Sequence, residues 1–386
     1  MVLSRRKSKR RPIIAILTVG DDTNFFRGNL ANFIDLIKTG HNMGALVYVT
    51  TTADLRLSQK KIVGHSYNPE KKTWNKKKFP LPHVVYNRIP YRKFELRPEV
   101  QQVIQSCLKH RSIQLFNPSF FNKWTLFEWL SRSNSTRSFI PKTERLISPY
   151  NLESMFYHSP TLYLKPVRGK AGMGIMRLVK KQGQFAPEYR LVCQNQNKRY
   201  VYIFHNIYNL WEKLRQEIGM KEYIVQQGIV LTKFKKRPFD LRLLVQKNGK
   251  GVWTLTGMGA RVAGKLSITT HVPRGGSIDD PIKLLKNKFG PAKAKKIIRK
   301  VSKSALLIAK QIEKSSGYKM GEMSMDVGID TNGNMWFFEA NSKPMKFDEP
   351  EIRKKSLARL IEYCNYLCRQ HRKKMPKQAD TALGSR

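Results

Sequence analysis

Hydrophobic and polar residues alternate on both sides of Asn332-Gly333, within residues 323–344, and this pattern predicts a β-hairpin. An Asn-Gly pair between two alternating runs is typical of a two-residue type I′ turn. With this pair as the turn, Asp326 lies directly opposite Glu339. The same register predicts a core face made of Met325, Val327, Ile329, Trp336, Phe338 and Ala340.

Apolar patterns elsewhere predict a small parallel α/β domain followed by further mixed units. A buried strand at 11–20, a helix at 24–39 with apolar residues three and four apart, and a strand at 44–51 form a β-α-β beginning. Later segments predict strands at 162–166, 175–179, 222–230, 239–246 and 252–262, and helices at 291–315 and 357–368.

The chain has a large excess of positive charge. Its 386 residues include 73 Lys and Arg against 27 Asp and Glu, which gives a formal net charge of +46. Such a surface attracts polyanions through long-range electrostatics. Nucleic acid, an anionic cell-wall polymer, a polyacidic substrate and a phosphate-rich nucleotide all satisfy this condition, and charge alone does not choose among them.

The amino-terminal residues predict a basic tail ahead of the first strand rather than an export signal. The sequence SRR at 4–6 before the apolar stretch 13–19 imitates a twin-arginine signal, but Lys7 and Ser8 occupy positions where hydrophobic residues belong. No stretch of about 18 apolar residues occurs, so no transmembrane helix is predicted. The four cysteines form no CxxC pair, which favours reduced thiols in a cytosolic protein.

The opposed carboxylates of the hairpin suggest a metal site. Directly opposite residues in an antiparallel pair lie roughly 4.5–5.5 Å apart at Cβ, where like charges repel. A cation between Asp326 and Glu339 would remove this cost, and Asn341 adds an amide oxygen on the same face. Such hard oxygen ligands suit Mg²⁺ held jointly with substrate phosphates. The alternative is an ordinary solvated strand face that tolerates an acidic pair.

A glycine-rich loop follows the sequence LYLKP at 162–166. Gly169, Gly172 and Gly174 make the backbone flexible enough for its N–H groups to approach phosphate oxygens. No GK[ST] follows, so this is not a Walker A loop, and a glycine-rich hairpin turn is the alternative.

Another glycine, Gly228, interrupts the apolar strand predicted at 222–230. Gly228 follows Gln226-Gln227, and backbone donors and acceptors left free at the break would suit the edge of a purine ring.

The order of these features resembles that of the ATP-grasp superfamily. An α/β domain is followed by LYLKP with its glycine-rich loop, an apolar hinge strand, FDLR at 239–242, a strand bearing Arg261, and a D…E-x-N-x-K-P hairpin. The sequence looks like the glutathione-synthetase-type branch. It more closely resembles the YheC/YheD family of endospore-coat-associated ATP-grasp proteins, over residues 12–370.

The resemblance implies an α/β (α+β) chain with the ATP-grasp fold: an N-terminal small parallel α/β domain, a lid subdomain and a C-terminal antiparallel-sheet subdomain. The expected boundaries are a disordered basic tail at 1–11, the N-terminal domain at 12–117, the lid subdomain at 118–225, the metal-binding subdomain at 226–370 and a second disordered basic tail at 371–386.

The resemblance also implies roles for residues that match the family's motifs. Contacts to ATP are implied for Lys123, Lys165, Gly169, Gly172, Gly174, Gln226, Gln227 and Ile229. Catalytic roles are implied for Arg242, Arg261 and Lys343. Ligation of Mg²⁺, as two ions, is implied for Asp326, Glu339 and Asn341. Related sequences often place an asparagine after the arginine strand, whereas this chain has Thr269-Thr270-His271, which leaves the acceptor chemistry open.

The implied activity is an ATP- and Mg-dependent carboxylate–amine (or thiol) ligase that works through an acyl phosphate. Its expected substrates are small molecules or peptides, and its expected partners include polyacidic or spore-surface molecules. The expected location is the cytoplasm or the spore coat. The alternative is a non-catalytic nucleotide-binding coat or scaffold protein that binds polyanions. Specific nucleic-acid binding is a third hypothesis that rests on charge alone, since no zinc-finger spacing or RNP-type aromatic motif occurs.

Overall fold

The computed structural model describes residues 11–169, 173–195, 198–264, 270 and 276–374. Several predictions concern residues outside these ranges: the basic tail at 1–10, Gly172 of the glycine-rich loop, Thr269 and His271 of the acceptor segment, and the end of the chain from residue 375.

Strands and helices alternate at first and then give way to antiparallel strands. The strands are β1 (Ile13–Thr18), β2 (Leu46–Thr51), β3 (Lys61–Asn68), β4 (Thr73–Pro80), β5 (Val84–Asn87), β6 (Gln114–Phe116), β7 (Thr143–Arg145), β8 (Thr161–Pro166), β9 (Met176–Lys181), β10 (Glu188–Asn195), β11 (Lys198–Phe204), β12 (Tyr223–Gln227), β13 (Lys233–Phe234), β14 (Arg237–Lys247), β15 (Trp253–Val262), β16 (Ser277–Asp279), β17 (Glu322–Ile329) and β18 (Met335–Asn341). The α-helices are α1 (Leu30–Asn42), α2 (Arg92–Glu95), α3 (Pro98–Lys109), α4 (Lys123–Ser131), α5 (Pro149–His158), α6 (Ile207–Ile218), α7 (Pro281–Phe289), α8 (Pro291–Ser316) and α9 (Pro350–Lys374).

Short polar side chains cap several helices. Asn29, Asn122, Asn206 and Asp280 each accept a hydrogen bond from the backbone N–H three residues later. These caps satisfy amide groups that have no partner within the first helical turn. The cap at Asn122 matters most for the site, because it fixes the start of α4 and therefore the position of Lys123.

The first sheet has the order β4-β3-β2-β1-β5-β6. Strands β2, β1, β5 and β6 are parallel, as the β-α-β pattern predicts, and β3 and β4 form an antiparallel extension. The second sheet is antiparallel, with the order β11-β10-β9-β8-β12-β7, and contains the glycine-rich loop between β8 and β9.

The third sheet is also antiparallel, with the order β16-β15-β14-β17-β18 and with β13 beside β14. One of its faces packs on α8, whose apolar residues recur three and four apart as predicted. The helix buries Ala294, Ile297, Val301, Ser304, Ala305, Ile308, Ala309 and Ile312. The opposite face of the sheet contacts α9 over part of its area and carries polar side chains elsewhere.

The last helix is longer than the sequence pattern predicts. The structure extends α9 from Pro350 to Lys374, so the helix includes residues 371–374, which were expected to lie in a disordered tail. Its buried residues pack on the first sheet and on α1, and both Cys364 and Cys368 are buried there. These two cysteines therefore pack in the core, and α9 lies against the N-terminal sheet.

The central hairpin has the predicted cross-strand pair but not the predicted turn. Asp326 does pair with Glu339, whereas Ile329 pairs with Met335, so the loop has five residues. Asp330 organises the loop by accepting hydrogen bonds from the N–H groups of Asn332 and Asn334. This side-chain turn replaces the expected type I′ geometry.

A register shift restores the expected pairing farther from the loop. Between Asp326 and Val327 the ladder is irregular, and Phe338 is the extra residue of a β-bulge on β18. The core face of β18 consequently contains Met335, Phe337 and Ala340. The prediction that Trp336 and Phe338 lie on the core face is wrong, because the loop is longer and the bulge changes the alternation.

None of the helices in the described ranges has the length and apolar content needed to cross a membrane.

Candidate functional site

A row of cross-strand neighbours runs across the polar face of the third sheet. Glu339 pairs with Asp326, Asp326 pairs with Arg242, and Arg242 pairs with Gly259. Directly opposed residues of antiparallel strands have side chains on the same face. The row therefore places two carboxylates and a guanidinium side by side on β18, β17 and β14.

Arg261 links the acids next to this row. Its Nε and Nη2 donate to the two carboxylate oxygens of Asp240, at 2.9 and 2.6 Å, and Nη2 lies 2.9 Å from Oδ2 of Asp326. The hydroxyl of Thr270 also donates to Asp240. Burial disfavours the charged guanidinium, but the carboxylates of Asp326 and Asp240 outweigh this effect and raise the pKa of Arg261.

Lys123 approaches the other end of the row. Its Nζ lies 3.2 Å from Oε2 of Glu339. The helix that bears it, α4, is held against the core face of β18, where Phe127 contacts Phe337 edge to face with ring centroids 6.0 Å apart. Each carboxylate of the opposed pair thus has one protein cation beside it, Arg261 for Asp326 and Lys123 for Glu339.

The β-bulge brings Phe338 onto the same polar face. A Cβ added at Gly328 would lie 2.5 Å from the Phe338 ring, so the ring occupies the space that a side chain at residue 328 would need. The Nζ of Lys165 lies 5.3 Å from the centroid of this ring. Phe338 is therefore an aromatic surface between the hairpin and the second sheet, which sequence reasoning assigned to the core.

Lys165 and Gln226 face each other from paired strands of the second sheet. Lys165 Nζ donates to Oε1 of Gln226 at 2.5 Å, and Nε2 of Gln226 donates to the Thr143 hydroxyl at 2.9 Å. Burial lowers the pKa of Lys165 to about 8, and Lys123 acts in the same direction, against the opposing effect of Glu339 and Asp326. A group that binds here and bears negative charge would stabilise the ammonium form and raise this pKa.

The hinge residues after Gln226 make more internal hydrogen bonds than the sequence suggested. The N–H of Gln227 donates to the Lys142 carbonyl at 2.9 Å, and the N–H of Gly228 donates to the Thr161 carbonyl at 2.7 Å. The expectation of free backbone donors is therefore wrong at these two residues. Ile229 follows them and is half-buried.

The glycine-rich loop is anchored by Tyr223. Gly174 has φ +73°, and a Cβ added there would lie 2.8 Å from the Tyr223 hydroxyl, which donates to the Gly174 carbonyl at 2.9 Å. Both observations require glycine at residue 174. Gly169 lies at the other end of the loop, where an added Cβ would come within 3.0 Å of Pro166.

Arg242 lines a cavity of about 290 Å³ on the side of the row away from Glu339. Its guanidinium stacks over the ring of Phe347, with 5.5 Å between the guanidinium carbon and the ring centroid. Arg261, Gly259 and the segment 345–349 also line this cavity. The two arginines that the sequence singled out are thus brought together at one opening.

Lys343 lies apart from the hairpin carboxylates. Its ammonium is buried against the N-terminal domain, where it pairs with Glu95 and donates to Oδ1 of Asn87 at 3.0 Å. Burial lowers the pKa of Lys343 to about 8 despite the Glu95 carboxylate. These contacts join Lys343 to the N-terminal domain, and the catalytic role that the resemblance implies for it stays a prediction.

The hairpin acids fit a magnesium ion shared with phosphate oxygens. Asp326 and Glu339 are directly opposed, and Asn341, opposite Ser324, adds an amide on the same face of the strand. In the described ranges no three His, Cys, Asp or Glu side chains gather into a metal cluster. Magnesium commonly takes one or two protein carboxylates together with substrate phosphates and water, so this open donor set suits it better than a closed protein cage would.

Asp240 is the site residue that sequence reasoning overlooked. It lies in the FDLR motif two residues before Arg242, and its carboxylate orients Arg261 through two hydrogen bonds. Alternation along β14 supplied the signal, because residues 240 and 242 share a face.

Comparison with known proteins gives one family and several relatives. A family model described as "YheC/D like ATP-grasp" matches residues 112–367. The chain is 29% identical over 365 residues to the endospore coat-associated protein YheD of Bacillus subtilis (strain 168), a match covering 92% of this chain and 79% of the relative. It is 19% identical over 354 residues to the endospore coat-associated protein YheC of the same organism, covering 89% and 95%.

Among solved structures, the D-alanine–D-alanine ligase from Bacillus anthracis is similar in fold. It superposes with a TM-score of 0.53 at 12% sequence identity, over 95% of this chain and all of that chain. The three sheets described above therefore form an ATP-grasp fold.

Proposed function

The chain belongs to the YheC/D-like ATP-grasp family, and from this premise we propose that it is an ATP- and Mg-dependent ligase that joins a carboxylate to an amine or thiol through an acyl phosphate. The observation that supports this proposal best is the row Glu339–Asp326–Arg242, with Lys123 and Lys165 beside it. It combines hard oxygen ligands with several cations, as phosphoryl transfer requires.

The proposed nucleotide site lies between the second and third sheets. Gln226 and Ile229 would contact the adenine, and the Phe338 ring would give it an apolar surface. Lys165 and Lys123 would bind phosphate oxygens beneath the loop that begins at Gly169. Magnesium, as one or two ions on Asp326, Glu339 and Asn341, would neutralise charge that develops on the β- and γ-phosphates.

The first chemical step is phosphoryl transfer. An oxygen of the substrate carboxylate attacks the γ-phosphorus, the bond from that phosphorus to the β,γ-bridging oxygen breaks, and ADP leaves. Arg261 and Arg242 hold the transferring group and the new acyl phosphate. The hydrogen bonds from Asp240 keep Arg261 oriented before the substrate arrives, so little reorganisation is needed.

The second step forms the new bond. For an amine acceptor, the nitrogen attacks the acyl carbon, a C–N bond forms, and the C–O bond to phosphate breaks. The ammonium loses two protons in total, one to the leaving phosphate and one to solvent. No protein nucleophile is required, because the acyl phosphate is already activated.

The proposal is tested by Mg-dependent binding of ATP and by release of ADP over a panel of amino acids and short peptides. We expect ATP affinity to rise when Mg²⁺ is added and ADP release to depend on a carboxylate substrate. A protein that binds no nucleotide with or without Mg²⁺ would contradict it.

A second candidate function is that of a coat-associated scaffold that binds anionic polymers. The observation that favours it is the exposed face of α7 and α8, whose cations include Lys286, Lys288, Lys293, Lys295, Lys296, Arg299, Lys300, Lys303, Lys310 and Lys314. Glu313, the sole acid of α8, forms an ion pair with Lys247 and accepts a hydrogen bond from the Trp253 indole. This role is compatible with the coat-associated names of the relatives.

Binding of polyglutamate, measured by fluorescence anisotropy as salt is raised, separates the two functions. A scaffold should bind the polymer in a salt-sensitive way and lose binding when Lys296, Lys300 and Lys303 are changed to glutamate. Release of ADP that depends on an amino acid or peptide would instead identify a ligase.

A further inference from the structure

We propose that the cavity beside Arg242 binds an amine acceptor of amino-acid size, and that the carboxylate of Glu349 holds the acceptor's ammonium group. This inference rests on the proposed ligase function and specifies its second substrate. The cavity is the one of about 290 Å³ lined by Arg242, Arg261 and the segment 345–349. Its volume is at the lower end of small-molecule sites, which suits a single amino acid or one end of a peptide.

The cavity is lined by charged side chains of both signs that do not form ion pairs with one another. Arg242 and Lys346 supply cations, and Asp348 and Glu349 supply carboxylates. Within the part of the chain that the structure describes, none of these four side chains makes an ion pair or a hydrogen bond, whereas Arg261 beside them is held by two carboxylates. Unpaired charges of both signs around one cavity suit a ligand that has both an ammonium and a carboxylate.

The Glu349 carboxylate lies over the backbone of Gly259, next to the row Glu339–Asp326–Arg242. A Cβ added at Gly259 would lie only 2.6 Å from Oε1 of Glu349, so the carboxylate rests where a side chain would otherwise stand. Gly259 is the cross-strand neighbour of Arg242. The absence of a side chain at residue 259 therefore lets the carboxylate approach the guanidinium side of the row.

Across the sheet, these groups lie in the order in which the proposed reaction would use them, from phosphate transfer to attack by the amine. Glu339 and Asp326 lie at the proposed phosphate end, Arg242 lies next, and Glu349 lies beyond it over Gly259. An acyl phosphate held by Arg242 would have its leaving phosphate toward Asp326. The ammonium held by Glu349 would lose one proton to solvent, and the resulting amine would then lie within reach of a face of the acyl carbon.

The experiment compares the wild type with Glu349→Gln, which keeps the shape of the side chain and removes its charge. Glu351→Gln is the matched control, because Glu351 is an exposed carboxylate two residues away that does not line the cavity. Binding of Mg·ATP is measured first by calorimetry for all three proteins. Release of ADP is then measured with each of the twenty standard amino acids and with their glycine dipeptides.

We expect Glu349→Gln to lower kcat/KM for the active amine by about tenfold to a hundredfold, mainly through KM, because a hydrogen bond between charged groups is lost. Binding of Mg·ATP should not change, and Glu351→Gln should match the wild type. Hydroxylamine, which is mostly uncharged at neutral pH, does not need the ammonium site. The yield of hydroxamate from the acyl phosphate should therefore stay within about twofold of wild type in Glu349→Gln.

Gly259→Ala gives a second test that keeps every charge. The new methyl group would displace the Glu349 carboxylate, a flexible end that can move without unfolding the strand. The KM for the amine should rise while hydroxamate formation continues. As a binding readout independent of turnover, the active amino acid should raise the Tm of the wild type and not that of Glu349→Gln.

The outcomes separate this inference from the function on which it rests. Equal amine kinetics in Glu349→Gln and wild type would overturn the inference. So would intact Mg·ATP binding with no ADP release for any amino acid or dipeptide. Failure of the wild type to bind Mg·ATP would instead overturn the proposed function.

Discussion

The charge of Lys165 changes close to neutral pH. Burial lowers its pKa from the ordinary 10.5 to about 8, so the ammonium loses its proton as pH rises through that value. Phosphate oxygens bind the charged form. We therefore predict that Mg·ATP affinity falls by about tenfold between pH 7 and pH 9.

Calorimetric titrations at several pH values check this prediction, with Lys165→Arg as the control. Arginine stays charged throughout this range. The Mg·ATP affinity of Lys165→Arg should therefore not change with pH, apart from the effect of the titration of ATP itself. A wild-type affinity that is as constant as that of Lys165→Arg would show that Lys165 does not bind the phosphates.

Arg261 illustrates a buried charge that depends on two partners. It lies between Asp240 and Asp326 and is 5% exposed. We predict that Asp240→Asn lowers the free energy of unfolding by about 3–5 kcal/mol, because a buried guanidinium loses part of its compensation. Urea denaturation measures the change, and Asp22→Asn, at an exposed carboxylate, should leave the unfolding midpoint in place. Equal midpoints for both variants would contradict the prediction.

At the scale of elements, the hairpin β17–β18 depends on its bulge. The Phe338 ring fills the space above Gly328. We predict that Gly328→Ala costs about 1–3 kcal/mol, because the added methyl group is forced against that ring and Leu231. The urea midpoint is the measurement.

Gly20→Ala is the matched control for this substitution, since an added Cβ at residue 20 meets no atom within 4 Å. The double variant Gly328→Ala with Phe338→Ala should regain part of the cost of Gly328→Ala, because the clashing ring is removed. Additive effects of the two substitutions would show that the ring is not the obstacle.

The hairpin also shows how far sequence alone reaches. Alternation and the turn placed at Asn332-Gly333 correctly paired Asp326 with Glu339. They missed the five-residue loop and the bulge, because Asp330 closes the loop through its side chain, and a bulge has no period of its own. The longer loop and the bulge offset each other at Asp326 and Glu339, so that pair is predicted correctly. They do not offset each other at Trp336 and Phe338, which lie nearer the loop.

Elements whose periodicity is strong were the predictable ones. Helix α8 follows its apolar stripe over nearly its whole length, and the parallel strands of the first sheet follow their apolar runs. By contrast, the sequence pattern gave no sign of β10 or α5, where polar and apolar residues mix without a clear period. The site contacts of Asp240, Lys343 and Glu349 depend on tertiary packing, which periodicity does not encode.

At the scale of the whole molecule, Lys343 joins the hairpin to the N-terminal domain. Its ammonium pairs with Glu95 and lies 4.3 Å from the centroid of the Phe120 ring. Both charged side chains of the pair are at least 96% buried, at 4% and 3% exposure. Breaking such a pair leaves one buried charge without compensation.

We predict that Lys343→Met lowers the free energy of unfolding by about 3–5 kcal/mol and that adding Glu95→Gln restores much of the loss. The exposed pair Arg215–Glu212 provides the control, because Arg215→Met should barely change the urea midpoint. A double variant no more stable than Lys343→Met alone would argue against coupling between the two side chains.

The proposed nucleotide site requires the carboxylates of the hairpin to hold Mg²⁺ together with the phosphates of ATP. The most direct measurement is the gain in ATP affinity on adding Mg²⁺, obtained by calorimetry for the wild type, Glu339→Gln and Asp326→Asn. Glu351→Gln, at an exposed carboxylate outside the hairpin, is the control. The proposed site predicts that Mg²⁺ strengthens ATP binding in the wild type and the control, and that each hairpin variant loses at least about tenfold of this gain. A Mg-dependent gain that is undiminished in both hairpin variants would contradict the account.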